Sequence, residues 1–579
     1  MWQKPLSSTS NRTAPVGLLS SLEQLNAGGG SAGSLLSGCR IGLEKENLRV
    51  QADGGIARSD HPSGLGSALC NPYITTDYSE ALLELVTPAL PSTDESLQFL
   101  HQTQRFVQDS LAQGEYIWNT SMPCLLNGSD NIRVGFYGSS HPGRMKSVYR
   151  SGLGLRYGRS MQTIAGIHFN YSWPDDFWQV LAHAFVTAPA GFDAELVGLA
   201  GAAVKSSSYT RFRSEMYLCA TRNVLRHTWL IPLLFGASPA VCKSFLHGKN
   251  VSTDFQQTGS DTLYQRYATS LRMGNIGYNY SKKAAESISV DYSNLVSYTS
   301  DLHRLITTGH DHYADIGLLD ADGQYQQLNL NLLQIENEYY SPVRPKQLAD
   351  RYEPPVIAMR NRGILYLELR CVDVNMLEPA GMSQQQLDFF EVFLLHALLE
   401  NSPPIDKAES RINGANITTV AHRGRDPEAS VTYKSRQMSV RDAGAEMLYA
   451  MEPVAEFLDR QRTGATTAGA STGDAARYMS AVRAQQEKIA NIDLTPSAVI
   501  LDELLSGQKS FIDITTSHSN EATDFYSNLT VDEKVQTTLQ QAVDESMPRQ
   551  LALEAESTGS FDDYLNDYFM QLQASPTVS

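Results

Sequence analysis

Residues 364–370 read Ile-Leu-Tyr-Leu-Glu-Leu-Arg, a strict alternation of leucine with polar or ionisable side chains. Successive side chains of a strand point to opposite faces, so this run reads as a strand with Leu365, Leu367 and Leu369 in a core. Tyr366, Glu368 and Arg370 then face a polar cavity or solvent. The same period recurs in RIGLEKENLRV (40–50), where Glu44 and Glu46 share a face. It recurs again in AGIHFNYS (165–172), where His168 and Asn170 do. QLNLNLLQIENEYY (327–340) is expected to be a further strand, whereas SLQFLHQTQRFVQDSLAQ (96–113) has apolar residues at helical spacing. These patterns predict an α+β fold built round a large, mostly antiparallel sheet.

Two carboxylates on one strand face repel each other unless a cation sits between them. Magnesium takes such hard oxygen ligands, but exposed Glu-x-Glu also suits a solvated edge strand. YITTDYSEALLELVTP (73–88) adds Asp77, Glu80 and Glu84. Helical spacing puts all three near one face; strand spacing isolates Glu84 between Leu83 and Leu85. A carboxylate there needs a cation or hydrogen-bonding partners. His168 alone suits a satisfied structural histidine as well as a metal ligand. Glu368 and Arg370 serve a metal and a phosphate, or neutralise each other. Arg144, Lys146, Arg150, Arg156 and Arg159 are either phosphate contacts or a charged helix surface, and spacing favours the surface. His303, His310 and His312 lack a zinc-site context, and no GxxxxGK[ST] loop occurs.

The net charge of −17 opposes nucleic acid and anionic membranes as partners. The most apolar runs, 229–242 and 389–399, are too short to span a bilayer and read as buried core. Six cysteines without a CxxC pair fit a reducing compartment, and the N-terminus lacks the apolar region of a secretory signal. A cytoplasmic protein is expected. Residues 1–38 end in NAGGGSAGS and read as a disordered extension; residues 39–461 carry the ordered patterning. Residues 462–477 read as a linker or mobile loop. Residues 478–579 form a helical C-terminal region with an acidic tail.

Taken together, eight collinear runs resemble the proteobacterial glutamate–cysteine ligase family. They are GLEKENLRV, LGSALCNPYITTDYSEALLELVTP, MPCLLNG, GRSMQTIAGIHFNYS, WLIPLLFGASPAVCKSFLHG, YATSLRMGNIGY, LQIENEYYSPVRPK and LYLELRCVDVN. The resemblance implies a curved antiparallel sheet forming a funnel, similar to the glutamine synthetase catalytic fold. It implies ATP- and Mg2+-dependent joining of the γ-carboxylate of L-glutamate to the amine of L-cysteine, through γ-glutamyl phosphate. Mn2+ is an admissible substitute. Position by position, Glu44, Glu46, Asp77, Glu84, His168 and Glu368 match the family's metal shell. Arg272 and Arg370 match residues at the transferred phosphate, with Arg370 and Asn170 toward the nucleotide. Gln162 and Ile164 match glutamate contacts; Tyr149, Tyr278, Tyr340 and Arg150 match the surroundings of cysteine. Asp77 is the candidate acceptor of the amine proton. The family further implies a monomer inhibited by glutathione. Tyr78 replaces the usual Phe, and CVDVNMLEP is looser than its counterpart. No region suited to a fused glutathione synthetase follows, so γ-glutamylcysteine is the expected product.

Overall fold

A computed structural model describes residues 18–24, 35–187, 193–246, 254–276, 288–463 and 476–573. Its organising element is β1 (Arg40–Gln51), twelve residues long. Strand β1 pairs antiparallel with β3 (Leu82–Val86) and β5 (Ile167–Ser172), and its last four residues pair with β4 (Glu115–Trp118). β2 (Ile74–Thr76) extends the sheet beyond β3; β7 (Tyr366–Val372) and then β6 (Val343–Lys346) extend it beyond β5. The order is β2-β3-β1-β5-β7-β6, with every pairing antiparallel.

The alternation read from the sequence sets which face is which. Leu43, Leu83, Leu85, Phe169, Leu367 and Leu369 are buried on one side. Helices cover them: α1 (Thr93–Gln108), α3 (Thr210–His227) and α4 (Gln384–Leu399), which is buried from Gln386 onward. Phe169 meets Phe390 of α4 at 5.5 Å between ring centroids, which locks sheet to helix. Lys45 is also on this face and fully buried. Its Nζ donates to Gln104 Oε1, Asn119 Oδ1 and the Pro379 carbonyl, and burial holds its pKa well below the usual lysine value.

Two expectations are corrected. Residues 327–340 do not form a strand. Their amide side chains bond the local backbone instead: Asn329 Nδ2 donates to the Gln334 carbonyl, Gln334 Oε1 accepts from Leu328 N, and Asn329 Oδ1 accepts from Asn331 N. Such local bonds compete with a ladder, and Arg156 takes the carbonyls of Asn329 and Asn331 that a neighbouring strand would need. The described part of 1–38 is not a disordered tail either. Residues 18–24 are helical, with Leu18, Leu19 and Leu22 buried, and Leu35 and Leu36 also join the core. Three leucines at i, i+1 and i+4 make one apolar helical face, a signal the glycine run next to it obscured.

The expected linker 462–477 lies mostly outside the described residues. Its ends are helical: Arg462 closes α5 (Val440–Thr463) and Arg477 opens α6 (Arg477–Ala490). The C-terminal helices α7 (Phe511–Asn528), α8 (Glu533–Glu556) and α9 (Phe561–Met570) follow. One cluster of buried apolar side chains runs from Leu18 through the sheet to Leu572, so the C-terminal region shares the core of the sheet. Among the described residues, no helix is long and apolar enough to cross a membrane.

Candidate active site

The polar face of the sheet is built by register. Glu46 stands opposite Glu84, and Glu44 opposite His168. Asn170 stands opposite Glu368, and Glu368 opposite Arg344. Directly opposed residues of an antiparallel pair bring their Cβ atoms to about 5 Å, so five strands deliver one continuous row of ionisable groups. Strand spacing wins at 73–88: Asp77 sits in the β2–β3 turn and Glu84 on the sheet face. Glu80 turns away and accepts the backbone amides of His61 and Phe136, so it is a structural carboxylate.

Within the row, His168 Nδ1 lies 2.8 Å from Glu44 Oε2 and 3.6 Å from Glu368 Oε1; its Nε2 is 3.7 Å from Glu46 Oε1. Gly166 N donates to Glu46 Oε2 at 2.6 Å. Glu368 receives Arg370 Nη1 at 3.0 Å and Lys346 Nζ at 3.1 Å. Glu84 and Asp77 have no side-chain hydrogen bond and no cation within 4.0 Å among the described residues. Ligand atoms of Glu44, Glu84 and His168 lie within 4.8 Å of one another.

These contacts divide the carboxylates. Burial raises Glu368, but Arg370, Lys346 and His168 outweigh it and hold it well below the ordinary range. Burial likewise opposes ionisation of Glu44, and the His168 hydrogen bond reverses the sign, so Glu44 is lowered. Glu46 is pushed well up by burial and by the charges of Asp77 and Glu84. Glu84 is pushed up to about 8 by burial, Asp77 and Glu44. Burial and then Arg370 lower His168. The Glu46–Glu84–Asp77 side of the row is thus short of positive charge, and a divalent cation with oxygen ligands fits that deficit.

The row floors a cavity of about 1180 Å³. Its walls bring together Asp77, Tyr149, Arg150, Gln162, Ile164, Arg272, Tyr340 and Arg370, all of them anticipated from the sequence. Gln162 and Ile164 come from a 3-10 turn (Arg159–Thr163) and its cap. Arg272 donates to the Arg370 carbonyl at 2.9 Å, and a side chain at Gly166 would collide with its guanidinium, so this close approach requires glycine. Asn170 is not on the cavity wall; its Nδ2 holds Glu44 Oε1 at 2.9 Å. Tyr278 lies outside the described residues.

Of the basic run only Arg159 is an exposed surface residue; Arg144 and Lys146 are half-buried, and Arg150 and Arg156 are buried. On α2 (His141–Tyr157), Arg156 pairs with Glu338 at 3.0 Å, both side chains fully buried. Arg150 gives its donors to the carbonyls of Asp77, Thr76 and Lys146. Sequence reasoning missed Arg344 and Lys346, although two cations at strand spacing beside the Glu368 strand were a usable signal. It also missed Arg549, Leu553, Tyr564 and Tyr568, which α8 and α9 set into the cavity wall. No local pattern announces a contact made some 400 residues away. Hydrogen bonds hold α8 there: Ser139 N donates to Glu554, His141 N to Ser557 Oγ, and Ser67 N to Ser546 Oγ.

Comparison with known proteins places this geometry. The glutamate-cysteine ligase family model matches residues 26–420. The glutamate–cysteine ligase of Alcanivorax borkumensis is 39% identical over 542 residues, 93% of this chain and 97% of that protein. The enzyme of Azotobacter vinelandii is 39% identical over 540 residues, covering 93% and 96%. The crystal structure of glutamate–cysteine ligase from Francisella tularensis in complex with AMP superposes with a TM-score of 0.81 at 32% identity, covering 93% of this chain and 99% of that one. A bifunctional glutathione synthetase from Pasteurella multocida, 22% identical with a TM-score of 0.60 over 88% of this chain and 54% of that one, shares the fold.

Proposed function

The chain belongs to the glutamate–cysteine ligase family, and from that premise we propose that it joins the γ-carboxylate of L-glutamate to the amine of L-cysteine at the expense of ATP. The observation that carries the reading is the row of Glu44, Glu46, Glu84, His168 and Glu368, flooring a cavity walled by Arg272 and Arg370. The sheet and cavity suit the glutamine-synthetase-like funnel that the resemblance implies.

Glu44, Glu46, Asp77, Glu84, His168 and Glu368 would hold Mg2+, with Mn2+ as substitute given the imidazole among the oxygens. When bound, the metal supplies positive charge against the triphosphate and the attacking carboxylate. The chain's own groups do the rest. Arg370, whose Nε has no hydrogen-bond partner, and Arg272 face the anions that meet there. Without cations, a carboxylate and a phosphate repel strongly at low dielectric. Phosphoryl transfer gives γ-glutamyl phosphate and ADP; the cysteine amine then forms the amide bond and phosphate leaves with the carbonyl–oxygen bond electrons. Asp77, free of side-chain partners among the described residues and beside this space, accepts the amine proton. Gln162 and Ile164 position glutamate, and Tyr149 and Tyr340 wall the acceptor. A thiol substrate and a thiol product suit a reducing cytoplasm, and the reading takes the chain as a monomer producing γ-glutamylcysteine, the first step toward glutathione.

The test is phosphate release by purified protein with Mg2+–ATP, adding glutamate, cysteine, then both, with product mass recorded. Release that needs both amino acids and yields γ-glutamylcysteine supports the reading. ATP turnover without amino acids, or none at all, overturns it.

A further inference from the structure

The α2 cations have separate fates. Arg156 is consumed by Glu338, and Arg144 stacks on Phe561 at 4.4 Å. Arg150, which the family resemblance sets near cysteine, spends its donors on backbone carbonyls and clamps the β2–β3 turn to α2. Lys146, one turn earlier, is different. It lines the cavity 4.8 Å above the Tyr137 ring, with no hydrogen bond and no carboxylate within 4.0 Å among the described residues. Arg549 of α8, an exposed side chain, also lines the cavity, with no bonded partner among the described residues, while Arg351, another lining residue, is held by Glu556 at 2.8 Å. Lys146 lies over the Tyr137 ring, and the next residue, Gly138, packs against Gln550, the residue after Arg549, so the two cations line the same part of the cavity wall.

A desolvated ammonium beside a like charge is unfavourable, and an (i, i+4) pair of cations destabilises the helix that carries it. Burial and Arg150 accordingly lower Lys146 to about 8, which leaves it charged at neutral pH. An arriving anion offsets that cost. The acidic floor offsets it only in part: Glu84 and Asp77 raise Lys146 from a distance, and among the described residues neither makes an ion pair with it.

We propose that Lys146 and Arg549 form an anion subsite on the cavity wall, apart from the metal-binding row, that takes a carboxylate or phosphate group of a substrate. The inference rests on the ligase reading and deepens it. Half of the subsite comes from α8, beyond the residues 26–420 matched by the family model. Its ligand is an anionic oxygen group of an amino acid or of the nucleotide; a charge-assisted hydrogen bond to a lysine serves either.

The experiment measures KM and kcat for glutamate, cysteine and ATP in the full-length wild type, Lys146→Met, Lys146→Arg and Arg549→Gln, with melting temperature recorded. Lys146→Met is expected to raise the KM of one substrate about tenfold or more, with kcat changed far less. Arg549→Gln raises the KM of that same substrate about threefold, as suits a more exposed cation. Lys146→Arg recovers most of the loss. Elevation for ATP identifies a phosphate; for glutamate, the donor's α-carboxylate. Elevation for cysteine identifies the acceptor's carboxylate, and cysteine methyl ester then distinguishes wild type from variant no longer. Three unchanged KM values, or a general loss that follows a lower melting temperature, overturn the subsite. Wild-type protein that ligates nothing overturns the ligase reading instead. Calorimetric titration with tripolyphosphate, with glutamate and with cysteine needs no turnover: binding of all three undiminished in Lys146→Met/Arg549→Gln overturns the subsite on its own.

Discussion

Strand β5 touches a buried ionic cluster on each of its faces, and the two are built on opposite rules. On the core face, the Tyr171 hydroxyl donates to Glu391 at 3.1 Å. Glu391 also pairs with Arg462 and accepts from Tyr478 at 3.0 Å, while Arg477 bridges Asp388 at 2.6 Å and Asp94 at 2.5 Å. Each carboxylate there meets an arginine. On the cavity face, His168 joins Glu44, Glu46 and Glu368, with Glu84 close by, and both bonded cations, Arg370 and Lys346, go to Glu368. The first cluster is complete within the chain and ties α4, α5 and α6 together. The second has charge left over, and that excess marks where something from outside the chain belongs.

Breaking each cluster should therefore damage different properties. The largest effect is expected from Glu44→Gln: ligation falls about a thousandfold, while the melting temperature falls only slightly, because the amide oxygen keeps the Asn170 bond and only the charge-assisted bond to His168 is lost. A drop in stability that accounts for the lost activity would erase the contrast. Glu391→Gln should do the reverse. It leaves Arg462 buried without its charge partner, at a cost of about 3 kcal/mol in urea unfolding, with unchanged activity per folded molecule.

The third effect is a pH dependence. Glu84 is raised in the folded chain, so metal-free protein has the full benefit of its neutral form below the ordinary carboxylate range and loses it as pH climbs toward about 8. Differential scanning calorimetry of metal-free protein should show stability falling across that window. Mg2+ should reverse the fall, by about 2.7 kcal/mol at a hundred times its Kd, and more at pH 8 than at pH 6 because its ligands must be deprotonated. Glu84→Gln should flatten both trends; a variant that keeps them would reassign the titration to another group. The smallest effect is expected from Tyr478→Phe, which removes one hydrogen bond to Glu391 and should cost about 1 kcal/mol without touching the kinetics.

The cavity row was legible because it depends on strand period alone. Once 40–50, 82–86, 167–172 and 366–372 are strands, Glu44, Glu46, Glu84, His168 and Glu368 must face away from the leucines between them. Arg272, Gln162 and Tyr340 sit in turns and loops without a period, and only the family resemblance pointed to them; Asp77 was read from 73–88 itself, but as one face of a helix that the structure does not form there. Residues 327–340 misled because their alternating asparagines and leucines mimic a strand while the amides bond their own backbone.

What the sequence determined by itself was a sheet with one apolar and one acidic face, since a period of two is a property of neighbours along the chain. The tertiary structure decided which charges stay unbalanced. Arg150 is a clamp, Lys146 has no ion-pair partner among the described residues, and the helix carrying Arg549 forms part of the cavity wall. Each of these depends on residues far apart in sequence, whose meeting is set by strand register and helix packing and by no local pattern.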